Sequence, residues 1–190
     1  MNIVSRGRWP AILCGLLLAG SVVAAPRTVT DPAAPRALPA EGPVQVSWTD
    51  PAQFSEIAQS RNRWQAERGD WVQDLAKYLR KQATARLPAG ETLAVTITDI
   101  KRAGDYEPWR GPRMDDVRII RDIYPPKIRL RYTVSGADGQ VIDQGEPTLT
   151  DLGFMYGNVG TIGDSDPLRY EKALIDGWLR KEFPKQGTRR

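Results

Sequence analysis

The chain has 190 residues, 26% of them charged and 41% hydrophobic, with 27 basic residues against 23 acidic ones and no histidine. That length suits one domain with a tail. The missing histidine excludes serine–histidine–acid triads, histidine-ligated zinc and imidazole acid–base catalysis near neutral pH, and most familiar hydrolase chemistries go with them.

The chain opens with a short cationic start at Arg6 and Arg8, an apolar run from Ala11 to Val23, and the small-residue exit Val22-Val23-Ala24-Ala25. This layout predicts a secretory signal over residues 1–24, because so short an apolar core does not comfortably span ~30 Å of hydrocarbon. The single cysteine, Cys14, falls inside it, so the mature chain would have no disulfide, thiolate metal site or cysteine nucleophile. Cleavage would also remove Arg6 and Arg8, leaving 25 basic against 23 acidic residues. The expected location is the periplasm or the exterior, with no stable membrane span after cleavage. A nucleic-acid partner is not expected, since that would want a concentrated basic face on a known module.

Residues 25–43 hold five prolines and four alanines between Pro26 and Pro43, and are expected as a flexible leader. A single domain should then run over 44–184, followed by a disordered basic tail at 185–190. Val44, Val46 and Trp48 alternate with polar residues, which predicts a half-buried strand ended by Asp50-Pro51. From Arg63 to Leu87 the period becomes helical, with Trp64, Trp71, Leu75, Leu79 and Ala83 on one face and Pro88-Ala89-Gly90 as the stop. Leu93, Val95 and Ile97 predict a second strand, and Ile128, Leu130, Tyr132 and Val134 a third. The turn Gly136-Ala137-Asp138-Gly139 should feed a fourth strand from Gln140 as a hairpin. Asp166-Pro167 reads as the N-cap and first position of a last helix, whose apolar side is Leu174, Ile175, Trp178, Leu179 and Phe183. The expected fold class is α+β: a two-layer sandwich, mainly an antiparallel sheet of about four strands with two helices packed on one face. Its other face would be open to water or to a partner.

The connection from Gly104 to Pro126 resists this scheme, being longer than compact domains usually allow. It carries Trp109, Arg110, Arg113, Asp115, Asp116, Arg118 and Arg121. Arginine beside tryptophan is the composition of interface anchors, which makes these residues binding candidates. The bland reading pairs the arginines with the nearby aspartates, lets Trp109 cap the core and adds a short strand at Val117 to Ile120. Lys127, Arg129 and Arg131 should project from one face of the third strand, either to meet an acidic partner, lipid headgroups or an anionic polymer, or simply as a solvated face. Glu107, Asp115 and Asp116 are the surviving option for carboxylate acid–base catalysis on a glycan. Gly163-Asp164-Ser165-Asp166-Pro167 resembles half a calcium loop without its other ligands, and Gly153, Gly157, Gly160 and Gly163 lack phosphate-binding spacing. That glycine-bearing stretch is expected as a mobile loop carrying aromatics. No metal or cofactor is expected.

The run Glu107-Pro108-Trp109-Arg110-Gly111-Pro112-Arg113-Met114-Asp115-Asp116-Val117-Arg118, the following Tyr124-Pro125-Pro126, and Asp166-Pro167-Leu168-Arg169-Tyr170-Glu171-Lys172-Ala173-Leu174 resemble the family called domain of unknown function 3016. With Trp48, Asp50 and Pro51, the likeness covers roughly Val44 to Phe183. The resemblance implies a small exported protein of a Gram-negative bacterium and carries over no catalytic residue. One departure stands out: members often read Asp-Leu-Ala-Gly where this chain has Lys101-Arg102-Ala103-Gly104. The leading expectation is a non-enzymatic periplasmic domain that binds an envelope protein or an anionic polymer. The alternatives are a carboxylate-based hydrolase of an envelope glycan, or self-association through the open sheet face.

Overall fold

Alternation at Val44, Val46 and Trp48 builds strand β1 (Val44–Trp48), whose three apolar side chains are buried while Gln45 is exposed. The computed structural model describes residues 27–157, 163 and 165–184; the amino-terminal apolar run, Cys14, Asp164 and the 185–190 tail lie outside them. After β1 come α1 (Ser55–Ala58), α2 (Arg63–Glu67), α3 (Trp71–Thr84), β2 (Thr92–Lys101), β3 (Asp105–Tyr106), β4 (Arg118–Ile119), β5 (Lys127–Ser135), β6 (Val141–Gly145), β7 (Thr148–Thr150) and α4 (Arg169–Glu182). The class is α+β. Among the described residues no helix is long and apolar enough to cross a membrane.

The main sheet has five strands in the order β1-β2-β5-β6, with β7 beside β5 as well. It is mixed rather than wholly antiparallel: β2–β5, β5–β6 and β5–β7 pair antiparallel as expected, but β1 runs parallel to β2, Val44 opposite Leu93 and Trp48 opposite Ile97. The chain between them is a helical crossover, which returns a strand in the same direction, and side-chain alternation reads alike for either orientation. β5 and β6 form the expected antiparallel hairpin, closed by the Gly139 N–H on the Gly136 carbonyl at 2.9 Å.

The helical stretch expected over Arg63 to Leu87 is two helices, because Gly69 takes φ +87° between them. The break removes Trp64 from the inward face and leaves it 62% exposed, while Trp71, Leu75, Leu79 and Ala83 are buried as read. Asp166 stands ahead of α4 rather than capping it directly. Its Oδ1 accepts the Leu168 N–H at 2.8 Å and its Oδ2 pairs with Lys172 Nζ at 2.5 Å, and Leu168 is the cap residue. Leu174, Ile175, Trp178, Leu179 and Phe183 are buried in one cluster with the inward residues of β1, β2, β5 and α3. Phe154, in the loop expected to be mobile, is buried edge-on to Tyr170, ring centroids 4.8 Å apart.

The leader expected to be flexible is tied down wherever it is described. Leu38 N–H donates to the Val46 carbonyl at 2.9 Å and Trp48 N–H to the Arg36 carbonyl at 2.8 Å, which lays residues 36–38 along the outer edge of β1. Val29 and Leu38 are buried in the core. Two apolar anchors and edge-strand hydrogen bonds supply what a proline-rich composition does not announce.

Candidate functional site

Two devices at the end of β2 shape the site. A bulge between Ile97 and Asp99 lets the Asp99 carboxylate accept the Ser55 N–H at 2.6 Å and the Ser55 hydroxyl at 2.8 Å, fixing the start of α1. Just beyond, Gly104 takes φ +80°, and a Cβ there would lie 2.6 Å from both the Ile119 carbonyl oxygen and the Ile120 Cδ1. Only glycine lets the chain turn this closely. Its N–H donates to the Tyr124 carbonyl at 3.0 Å, and β3 pairs with β4 in a two-stranded ladder. The segment from Gly104 to Pro126 is therefore a folded lobe, and it includes the short strand expected near Val117 to Ile120.

Beneath this lobe lies a charged interior. Glu56, in α1, has no exposed surface. Its Oε1 accepts from Arg102 Nε at 3.2 Å, Arg102 Nη2 at 3.1 Å and Arg118 Nη2; its Oε2 accepts the Arg102 backbone N–H at 3.0 Å and Lys101 Nζ at 3.4 Å. Burial pushes this carboxyl up, but Arg118, Arg102 and Lys101 outweigh it and hold Glu56 below the usual carboxylate range. The cations are themselves sandwiched: Arg102 lies 4.7 Å over the Trp71 ring and Arg118 4.8 Å over Tyr106. Asp105, also buried, accepts from Arg61 Nη1 at 2.7 Å and sits 3.7 Å from Lys101 Nζ.

Glu107 forms a second node. Its Oε1 accepts from Arg121 Nη1 and the Tyr124 hydroxyl, both at 3.0 Å, and its Oε2 accepts from Arg110 Nε. It has no exposed surface, yet Arg110 and Arg121 above it have side chains 47% and 44% exposed. Glu107 thus sits under a thin lid of its own partners. Burial raises its pKa, but the hydrogen bonds from Arg110, Tyr124 and Arg121 win and keep it ionised below the usual range. Arg61 links the nodes, 5.1 Å from the Trp109 ring centroid and 6.0 Å from that of Tyr124.

Behind both, Glu171 on the first turn of α4 accepts the Ala103 N–H at 2.6 Å through Oε1, while its Oε2 is buried without a partner. Burial pushes this carboxyl up, above the usual range.

Arg110, Arg118 and Arg121 do pair with carboxylates, but with buried glutamates and not with the neighbouring aspartates. Asp115 and Asp116 instead meet Asn62, whose Nδ2 donates to the Asp115 carbonyl at 2.9 Å and to Asp116 Oδ1 at 3.0 Å. Arg113 is exposed and has no ion pair among the described residues. Trp109 does not cap the core; it is 61% exposed. Arg129 and Arg131 are exposed on β5, Arg131 Nε paired with Glu146 Oε1 at 2.6 Å, while the half-buried Lys127 stands opposite Lys101 in the ladder. Sequence reasoning missed Glu56, Arg61, Lys101, Arg102, Asp105 and Glu171. The one local signal was a glutamate set between Phe54 and Ile57 in a short apolar helix.

Glu107, held ionised by three donors, has no proton to give as a general acid. Among the described residues, no group of three or more metal-ligating side chains could hold a metal ion. What the arrangement offers is a rigid, cation-rich surface around an exposed indole. A family model described as "Protein of unknown function (DUF3016)" matches residues 42–181 of the chain. No curated protein and no solved structure matches it.

Proposed function

Since the chain belongs to the DUF3016 family, whose description assigns no activity, we propose from the site itself that it is a non-enzymatic binding domain for an envelope component, exported to the periplasm. The observation that carries this reading is Trp109. A large indole is left 61% exposed while Arg61, stacked at 5.1 Å, is pinned by buried Asp105. An aromatic held in place before its partner arrives loses little freedom on binding, and Trp and Arg are the residues that dominate interface energies. Arg113 and the exposed side chains of Val117 and Ile123 belong to the same lobe. Packing of α3 and α4 into one apolar cluster with β1, β2 and β5 supports a two-layer arrangement, both helices on one sheet face.

The test is affinity capture from detergent-solubilised envelopes with the protein and its Trp109→Ala/Arg113→Ala variant, both shown folded by circular dichroism. A partner retained by the first and lost by the second is the expected result. Equal capture by both, or none, overturns the reading.

A further inference from the structure

The ion pairs of the lobe do not balance. Six cations (Arg61, Lys101, Arg102, Arg110, Arg118, Arg121) share three carboxylates, Glu56, Asp105 and Glu107. Glu171 does not redress the excess, since burial favours its neutral form. Asp116 Oδ1 accepts from Asn62 Nδ2 at 3.0 Å, Asp115 meets Asn62 only through its backbone carbonyl, and Asp122 Oδ1 accepts the Ile123 N–H at 2.9 Å; none of the three makes an ion pair with these cations among the described residues. Within the ion-paired group cations therefore outnumber carboxylates by three, and the low exposure of Lys101, Arg102 and Arg118 keeps water from screening theirs fully.

The surplus reaches solvent at Arg61, Arg110 and Arg121, whose side chains are 46%, 47% and 44% exposed. Each gives one nitrogen to a carboxylate, Nη1 of Arg61, Nε of Arg110 and Nη1 of Arg121. The remaining guanidinium nitrogens have no protein acceptor among the described residues. Arg110 and Arg121 are fixed on opposite oxygens of one carboxylate, and Arg61 is held near them by Trp109 and Tyr124. Guanidinium groups with free planar N–H edges, immobilised in an ion-paired group richer in cations than in carboxylates, match the oxygens of a tetrahedral dianion.

We propose that Arg61, Arg110 and Arg121 form an oxyanion site for a phosphate group, with Trp109 beside it to contact whatever the phosphate is attached to. A phosphate monoester carries about −1.5 to −2 at pH 7, against −1 for a carboxylate, and so offsets more of the surplus. This rests on the binding reading above and names its ligand chemistry.

The experiment is an NMR titration of the arginine Nε–Hε signals with inorganic phosphate, at constant ionic strength set by chloride. A second arm measures sedimentation with phosphatidylcholine vesicles, with and without phosphatidic acid. The expected result is saturable shifts at Arg61, Arg110 and Arg121, weakened about tenfold in Arg121→Gln and in Arg110→Gln, each removing one charged hydrogen-bond donor. Arg129→Gln, on the sheet, should bind as the unaltered protein does. Co-sedimentation only with phosphatidic acid identifies a lipid source, and saturation by phosphate without co-sedimentation a soluble one. Shifts that do not saturate, or that both lobe variants retain in full while folded, overturn the proposal. Phosphate binding without partner capture sinks the partner reading and leaves this site standing; partner capture without phosphate binding does the reverse.

Discussion

The protein has two interiors built on opposite terms. Between the sheet and its long helices, Leu75, Leu79, Ile97, Leu130, Ile175 and Leu179 are buried apolar side chains in one continuous cluster. Under the Gly104–Pro126 lobe, the buried groups are Glu56, Asp105, Glu107 and Glu171, tied to guanidinium and ammonium groups. The first is held by non-directional transfer out of water, so any well-shaped apolar residue serves. The second depends on partners, because each buried charge is costly until its opposite is in place. The first makes a fold and the second fixes one geometry of a surface lobe.

Removing one side chain from each separates them. Glu56→Ala leaves Lys101, Arg102 and Arg118 around an empty anion position and should lose about 3–5 kcal/mol in urea unfolding. Leu79→Ala, with no exposed surface to begin with, should lose about 3 kcal/mol, with no dependence on salt. A Glu56 variant no less stable than the parent would erase the distinction.

The pH profile sharpens it further. Glu56 is held below its ordinary value of 4.5, so its contribution is present above pH 4.5 and is lost as pH falls through the lowered pKa. Glu171 is pushed above its ordinary 4.5, so its contribution is present below that pH and is lost as pH rises through the raised pKa. Glu171→Gln keeps an acceptor for the Ala103 N–H and should remove only the decline that sets in as pH rises above 4.5, which melting temperature against pH will read. A variant that still declines there as the parent does would show that the orphaned oxygen at Glu171 is not its origin. The smallest effect is expected at Arg131→Ala, whose partner Glu146 is equally exposed. Its melting temperature should not move, as for most surface ion pairs.

The apolar interior was legible because its signal is local. Val44-Val46-Trp48 and Leu93-Val95-Ile97 repeat every second residue, and Leu174 to Phe183 follow a helical period, so each face could be assigned without knowing its neighbour. Trp64 misled for the same reason: the period continues through Gly69, where the backbone does not. The charged interior has no period. Glu56 and Arg118 are 62 residues apart, and Glu171 and Ala103 are 68 apart. Composition marked the lobe through its arginines and tryptophan, yet proximity in the chain pointed to Asp115 and Asp116 as partners. Those lie two to six residues from the arginines, while the glutamates reach them through α1 and the 3-10 turn Pro108–Arg110.

The two margins of the main sheet differ in one further respect. Residues 36–38 occupy the free side of β1, whereas β6 ends the strand order opposite, with Val141 and Ile142 exposed. Since β1's own edge is already taken up along residues 36–38, a second sheet pairing directly with a strand at the end of this order would meet β6, and its exposed Val141 and Ile142, rather than β1.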